Sequence, residues 1–217
     1  MTEGLGSVVD RMAAAAARSG RDPAAVTLVA VTKGQPVEAI RAAYDLGHRH
    51  FGENRAAKLA EKAPQLPDDI VWHFVGTVQR RRIELIRPVA AVVHSLDRQA
   101  LIDPWSRSTA PPMLVQVNLA AEPQKHGVAV DGVADLVAAA MAAGIACRGL
   151  MLIPPLSDRP EQSRPWFRRL AELRRQLAVA HPHLVELSMG MTDDFEVAIE
   201  EGASLIRVGR AIFGPRR

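Results

Sequence analysis

The sequence predicts an α/β fold, a single-domain (β/α)8 TIM barrel, on two observations. Eight short runs rich in β-branched residues alternate with amphipathic stretches rich in Ala, Leu, Glu and Arg. The length of 217 residues is one that single-domain barrels commonly reach. Strands that alternate with helices pair in parallel through right-handed crossovers, and eight of them favour a closed barrel over an open sheet.

The predicted strands are short, apolar and bounded by Gly, Pro or Asp signals. They begin at Val26, His48, Ile70, Ala90, Met113, Ile145, Leu184 and Ser204. One domain over residues 1–217 is expected, with the barrel over about 26–214.

The helices between the strands carry local start and stop signals. Pro36 suits a first helical turn and Gly47 a C-terminal stop. Asp193 as N-cap with Glu196 three residues later predicts a capping box. Pro104 and the pair Pro111-Pro112 predict that the helix after the fourth strand is stunted or absent. No crossover helix is predicted after the eighth strand, so an extra N-terminal helix over about 5–19 is expected to cover that gap.

Composition and charge exclude several classes of protein. A hydrophobic content of 48% argues against disorder, and one cysteine argues against a disulfide scaffold or a Cys-rich zinc site. A reducing compartment, and so a cytoplasmic location, is the expectation. The basic runs Arg80–Arg82 and Arg216-Arg217 lack interleaved aromatics, which argues against nucleic acid as a partner.

Two further classes are not supported by the sequence. The sequence contains no stretch of about twenty apolar residues, so no membrane span is expected. The histidine pairs 48/50 and 181/183 lack a nearby carboxylate or thiol at metal-ligand spacing, so no metal is expected.

Polar residues close most of the predicted strands, and in such barrels the chemistry gathers at the C-terminal strand ends. The set comprises Lys33, Glu53, Asn54, His73, His94, Asn118, the segment Ser188–Thr192, Arg207 and Gly209. Lys33 follows the apolar run VTLVAV, where partial desolvation suits an amine to act as a nucleophile in a Schiff base. A lysine that only snorkels at a strand terminus is the alternative.

The loops after strands seven and eight carry small residues suited to a phosphate. The segment Ser188–Thr192 and the glycines Gly209 and Gly214 offer backbone N–H groups and hydroxyls, as barrels often do at this place. Thr192 or Asp193 acting only as an N-cap is the alternative. Arg207 points inward or outward, and inward it could bind a cofactor ring nitrogen or a carboxylate such as Glu53.

Several motifs together resemble one known family. They are AVTKGQP, HFGENR, WHFVGTVQ, HSLDR, GLMLI, LSMGMTDD and IRVGRAIFG, in order from about Val26 to Gly214. The sequence is similar to the YggS/PROSC family of pyridoxal phosphate homeostasis proteins. The resemblance implies a barrel like the N-terminal domain of alanine racemase that holds pyridoxal 5'-phosphate (PLP) as its cofactor.

The resemblance also assigns roles to particular residues. Lys33 matches the Schiff-base lysine, and Arg207 matches the arginine that faces the pyridine nitrogen. Asn54 and His73 match positions that line the pocket. The phosphate-binding loops are matched by Ser188, Met191, Thr192, Gly209 and Arg210. Departures from the family pattern are Thr32, Arg55, Arg80–Arg82 and Ala120, and they put ligand exchange or partner contacts in question.

The expected function is that of a PLP carrier without robust catalysis, which stores, delivers or buffers the cofactor. A racemase of this fold needs a tyrosine from a second domain, whereas Tyr44 is expected on an outer helix and Cys147 at the far end of the barrel. Alternatives are a weak amino-acid racemase that uses Lys33 as sole base and a Schiff-base aldolase. The expected partners are PLP and PLP-dependent apo-enzymes as clients, with no nucleic acid and no membrane, and a monomer is expected.

Overall fold

The computed structural model describes residues 2–214 and contains a closed barrel of eight parallel strands in chain order. The strands are β1 (Thr27–Val31), β2 (His50–Glu53), β3 (Val71–Phe74), β4 (Val92–Leu96), β5 (Met113–Gln116), β6 (Cys147–Met151), β7 (Glu186–Ser188) and β8 (Leu205–Val208). Pairing of β1 with β8 closes the barrel. Every strand begins within two residues of its predicted start, and the predicted fold class is confirmed.

Helices surround the barrel. They are α1 (Thr2–Arg18), α2 (Val37–Asp45), α3 (Ala56–Lys62), α4 (Ile83–Ile86), α5 (Ile102–Ser106), α6 (Val133–Ala142), α7 (Arg164–Leu177), α8 (Phe195–Glu200) and α9 (Arg210–Phe213). The helix after β4 is stunted as predicted, because α5 has only five residues. Its Pro104 lies in the first turn, where a missing N–H costs no helical hydrogen bond.

The first helix closes the outer ring as predicted. It packs on α8 and α9, and Arg11 forms a 2.8 Å ion pair with Glu196. Gly4 allows a close approach, because a Cβ there would lie 2.7 Å from the carbonyl oxygens of Ala211 and Ile212. The short helix α9 after β8 was not predicted.

The prediction of a capping box at the start of α8 was wrong. The helix begins at Phe195, one residue later than an N-cap at Asp193 requires, and Asp194 precedes it without a side-chain cap. The Asp194 carboxylate instead accepts a 2.7 Å hydrogen bond from the Met191 N–H. Glu196 is engaged by the guanidinium of Arg11, so it does not reach back to the helix start.

Two apolar layers hold the barrel. The larger core lies between strands and helices, and a smaller one lies inside the barrel, formed by Val29, Val92, Leu114, Met151 and Leu205. The larger core includes Trp105 and Phe167, both fully buried.

No helix within residues 2–214 is long and apolar enough to cross a membrane. In the same part of the chain, no group of three or more His, Cys, Asp or Glu side chains is arranged to hold a metal ion. The predicted basic tail Arg216-Arg217 lies outside the described residues.

Candidate functional site

The C-terminal strand ends open onto a cavity of about 600 Å³. Seven predicted site residues line it: Lys33, Asn54, Met191, Thr192, Arg207, Gly209 and Arg210. Gly214, expected at the phosphate loops, and Asp193, expected only as an N-cap, line it as well. Further lining residues that the sequence did not single out are Val31, Gln35, Val75 and Ile153. Ser188 and His73 do not line this cavity; they lie in the barrel interior.

Lys33 is presented from a rigid strand end. It follows the buried Thr32, whose hydroxyl donates to the Gly52 carbonyl at 3.1 Å. Lys33 itself is half-buried and lines the cavity, and its amine forms no hydrogen bond with another residue of the described range 2–214. The amine is therefore available to a ligand in the cavity.

A buried ion pair lies beneath this strand end. Lys62 Nζ lies 2.7 Å from Glu53 Oε2, and the two side chains are 7% and 1% exposed. Lys62 also donates to the Thr32 carbonyl at 2.8 Å. The pair thus ties α3 to the ends of β1 and β2, one residue before Lys33.

Glu53 is also held by its neighbours in the chain. Its Oε1 accepts the backbone N–H of Asn54 at 2.8 Å and that of Arg55 at 3.3 Å. The sequence analysis considered a cofactor ring nitrogen and the carboxylate of Glu53 as partners of Arg207. Glu53 is excluded, because its carboxylate is paired with Lys62. No spacing signal in the sequence pointed to Lys62.

Arg207 points into the barrel and is fully buried. Its guanidinium donates to Ser188 Oγ at 2.5 Å and to the Leu152 carbonyl at 2.9 Å. Burial lowers its pKa to about 10, and the carboxylate of Asp194 partly opposes that shift. Arg207 therefore remains a cation and a hydrogen-bond donor near neutral pH.

The loops after β7 and β8 form the opposite wall of the cavity. Gly190 has φ +88°, and a Cβ there would lie 2.5 Å from the Cβ of Ala198, so the turn requires glycine. Beyond this turn, Asp193 and Arg210 form an ion pair that joins the two loops. The backbone N–H groups of Thr192 and Asp193 form no hydrogen bond with other described residues, and they remain available for an anion.

Asn54 carries a buried acceptor without a partner. Asn54 lines the cavity, and its Oδ1 is buried with no hydrogen bond from residues 2–214. An unpaired buried acceptor is costly, so a ligand that donates a hydrogen bond there would be favoured.

A second cavity of about 870 Å³ adjoins the first, and Ile153, Met191 and Thr192 line both cavities. Lys125 lines it, where the amine lies 2.6 Å from Glu122 and donates to the Pro154 carbonyl at 3.0 Å. The mouth is therefore a depression with two lobes, one of which contains Lys33.

The tyrosine and the cysteine lie away from the cavity. Tyr44 is on α2, where Arg49 stacks over its ring at 3.8 Å. Cys147 opens β6 at the N-terminal end of the barrel, and burial raises the pKa of its thiol to about 11. Neither side chain lines the cavity of Lys33.

Comparison with known proteins supports the assignment of the fold and the family. Residues 7–217 match the family described as alanine racemase, N-terminal domain. The chain is 38% identical to the pyridoxal phosphate homeostasis protein of Aquifex aeolicus, covering 99% of this chain and 98% of that protein. It is 40% identical to the protein of the same name from Pseudomonas aeruginosa, covering 100% and 96%.

The chain belongs to the pyridoxal phosphate homeostasis protein family.

Solved structures agree with this family membership. PipY of Synechococcus elongatus with PLP bound superposes with a TM-score of 0.83 at 33% identity, covering 95% of this chain and all of that one. The crystal structure of a protein from Bifidobacterium adolescentis gives a TM-score of 0.90 at 31% identity, covering 98% of this chain and 94% of that one. Lysine decarboxylase from Selenomonas ruminantium, at 16% identity, shares the fold alone.

Proposed function

We propose that this member of the family binds PLP on Lys33 and takes part in PLP homeostasis by storing, delivering or buffering the cofactor. The observation that carries the proposal is one cavity that brings together the amine of Lys33, the buried cation Arg207 and the two small-residue loops. Lys33 would hold the aldehyde carbon of PLP as a Schiff base, with release of water, and the phosphate and the ring nitrogen would offer two further points of attachment.

The residues present fit such a ligand. Arg207 would donate to the ring nitrogen, and the orphaned Oδ1 of Asn54 would accept from the ring hydroxyl. The phosphate would be held by Met191, Thr192, Gly209 and Arg210 of the two loops. The contributions of Ser188 and His73 would be indirect, through Arg207.

The same residues favour a carrier over an enzyme. Because Arg207 stays charged and donates, it leaves a ring nitrogen unprotonated, which weakens the power of PLP as an electron sink. Among the described residues, no tyrosine or cysteine lines the cavity to act as a second acid opposite Lys33. The named relatives are called homeostasis proteins, a name that specifies no reaction.

We further propose that the protein is a single-domain monomer that hands PLP to apo-enzymes as clients. A reducing, cytoplasmic setting fits the buried thiol of Cys147, which would stay reduced there.

A loading experiment tests the proposed binding. The purified protein mixed with PLP should gain a visible absorbance band, and borohydride trapping followed by peptide mapping should mark Lys33. Lys33→Ala should abolish the band, whereas Lys58→Ala, an exposed lysine that pairs with Glu61 on α3, should leave it unchanged. A trapped adduct on another lysine would contradict the proposal.

A transfer experiment tests the carrier role. Loaded protein should activate a PLP-dependent apo-enzyme even when a trap removes free PLP. Incubation of the loaded protein with single amino acids should leave the α-carbon configuration unchanged. Inversion at ordinary enzymatic rates would instead establish the racemase alternative.

A further inference from the structure

Three histidines and Ser188 form one hydrogen-bonded chain across the barrel interior. His50 Nδ1 lies 3.0 Å from His73 Nε2, and His73 Nδ1 lies 2.9 Å from His94 Nε2. His94 Nδ1 lies 2.8 Å from Ser188 Oγ, which accepts the guanidinium N–H of Arg207. The three links that involve histidine nitrogens are within normal hydrogen-bond distance, and the Arg207–Ser188 link is shorter.

The chain connects the two ends of the barrel. His50 is the first residue of β2, at the N-terminal end, and is half-buried. His73 and His94 are buried on β3 and β4, and Ser188 closes β7. The chain therefore runs from the N-terminal face to the arginine that lines the Lys33 cavity.

The rings in the chain are neutral near neutral pH. Burial lowers the pKa of His73 to about 3, and the neighbouring histidines act in the same direction. Burial also lowers the pKa of His94 well below its ordinary value, with His73 and the Arg207 cation adding to the effect. The pKa of the half-buried His50 is lowered by desolvation as well.

A neutral imidazole carries one proton, so the chain has only two internally consistent directions. Because Arg207 donates to Ser188 Oγ, its charge favours the direction in which every other proton points away from it. In that direction each ring carries its proton on Nε2: Ser188 donates to His94 Nδ1, His94 Nε2 donates to His73 Nδ1, and His73 Nε2 donates to His50 Nδ1. Such aligned bonds reinforce one another in a low-dielectric interior.

We propose that His73 and His94 are positioning residues for Arg207, because they and Ser188 form a hydrogen-bonded chain whose donors all point one way. Protonation of His50 reverses this direction and so changes the hydrogen bonding of Ser188 beside Arg207. A doubly protonated His50 donates from Nδ1, so His73 must accept at Nε2. His73 and His94 then each lose the proton on Nε2 and gain one on Nδ1, whereas His50 keeps its Nε2 proton, so the whole chain gains one proton.

After the reversal, His94 donates to Ser188 Oγ, which already accepts from Arg207, and the Ser188 hydroxyl proton must turn to another acceptor. The groups that act on the chain electrostatically are its own rings, His48 and Arg207. Arg49, next to His50, pairs with Asp69 and stacks on Tyr44. The effect on bound PLP rests on the proposed function, whereas the chain itself does not.

Nitrogen-15 NMR of histidine-labelled, ligand-free protein tests the chain directly, because ring nitrogen shifts distinguish the two tautomers. His73 and His94 should both carry the proton on Nε2 near neutral pH. On acidification they should switch to Nδ1 together, at the midpoint at which His50 becomes charged. His181 and His183, outside the chain, serve as reference rings in the same spectra. Fixed tautomers through the His50 transition would overturn the proposal.

Two matched variants separate the chain from its surroundings. His50→Asn keeps a hydrogen-bonding group near the Nδ1 position but does not titrate, so the joint switch should disappear. His48→Gln removes a neighbouring histidine, whose Nε2 contacts the His50 carbonyl at 2.7 Å, and should leave the switch in place. Loss of the switch in His48→Gln, or its survival in His50→Asn, would refute the assignment.

A third variant tests the link to Arg207. Ser188→Ala cuts the chain beside the arginine, so the guanidinium nitrogen shifts should no longer follow the His50 transition. If PLP binds as proposed, its affinity should also fall by about tenfold, as expected when a charged group loses one hydrogen bond. Wild-type protein that shows the NMR switch but binds no PLP would refute the proposed function and leave the chain standing. Arginine shifts in wild-type protein that ignore the His50 transition would refute the link.

Discussion

Breaking the buried Glu53–Lys62 pair should destabilise the protein strongly. Lys62→Met removes the cation and leaves a carboxylate that is 1% exposed without its partner. Loss of one member of a buried ion pair costs about 3–5 kcal/mol. Glu53 keeps two backbone N–H donors, so we expect the lower end, about 3 kcal/mol.

Urea unfolding measures this loss in free energy, and a thermal melt should show a midpoint lowered by about 6–12 °C for a domain of this size. Lys58→Met is the matched control, because Lys58 pairs with Glu61 on the surface and its loss should cost about 0.5 kcal/mol or less. The double variant Glu53→Gln/Lys62→Met should recover part of the stability, since no charge is left buried. A single variant within about 1 kcal/mol of wild type, or a double variant as unstable as the single one, would refute the reasoning.

Three further outcomes can be measured. Because the folded pKa of His73 is about 3, the unfolded chain binds more protons between about pH 6.5 and pH 3, so the free energy of unfolding should fall as pH decreases through that window. Urea titrations should show a shallower decline in His73→Asn, and an identical slope would contradict the shift. Cys147 should resist thiol reagents until the protein unfolds, because its pKa is about 11 and its side chain is buried; stoichiometric labelling of folded protein would argue against this. Gly190→Ala should lower the thermal midpoint, whereas Gly6→Ala, with open space around it in α1, should raise the free energy of unfolding by about 0.5–1 kcal/mol; equal effects of the two would rule out the steric explanation.

The strands were predictable because their signal is local. A parallel strand buried on both faces appears as a short apolar run, and that pattern located all eight. The stunted α5 was equally local, since proline acts on its own turn. The start of α8 could not be predicted from local signals. Arg11, from a helix distant in the sequence, donates to Glu196, the residue on which the predicted capping box depended.

Residues at the mouth could be predicted because strand ends converge there, and seven of the nine predicted site residues line one cavity. The partners beneath them could not be predicted. Lys62 reaches Glu53 from a helix, and Ser188 meets His94 across the barrel interior, so both contacts depend on how strands tilt and helices pack. Alternation along a strand indicates which side chains point inward, but it does not indicate which of them meet.

The pairing of β1 with β8 joins segments that lie far apart in the sequence. Lys33 follows the first of these strands, and Gly209 and Arg210 follow the last, so the cavity exists only after the barrel closes. During synthesis a chain that lacks β8 would have the lysine but no complete pocket around it. Capture of the cofactor would therefore coincide with completion of the fold, and occupancy would report that a molecule has folded correctly.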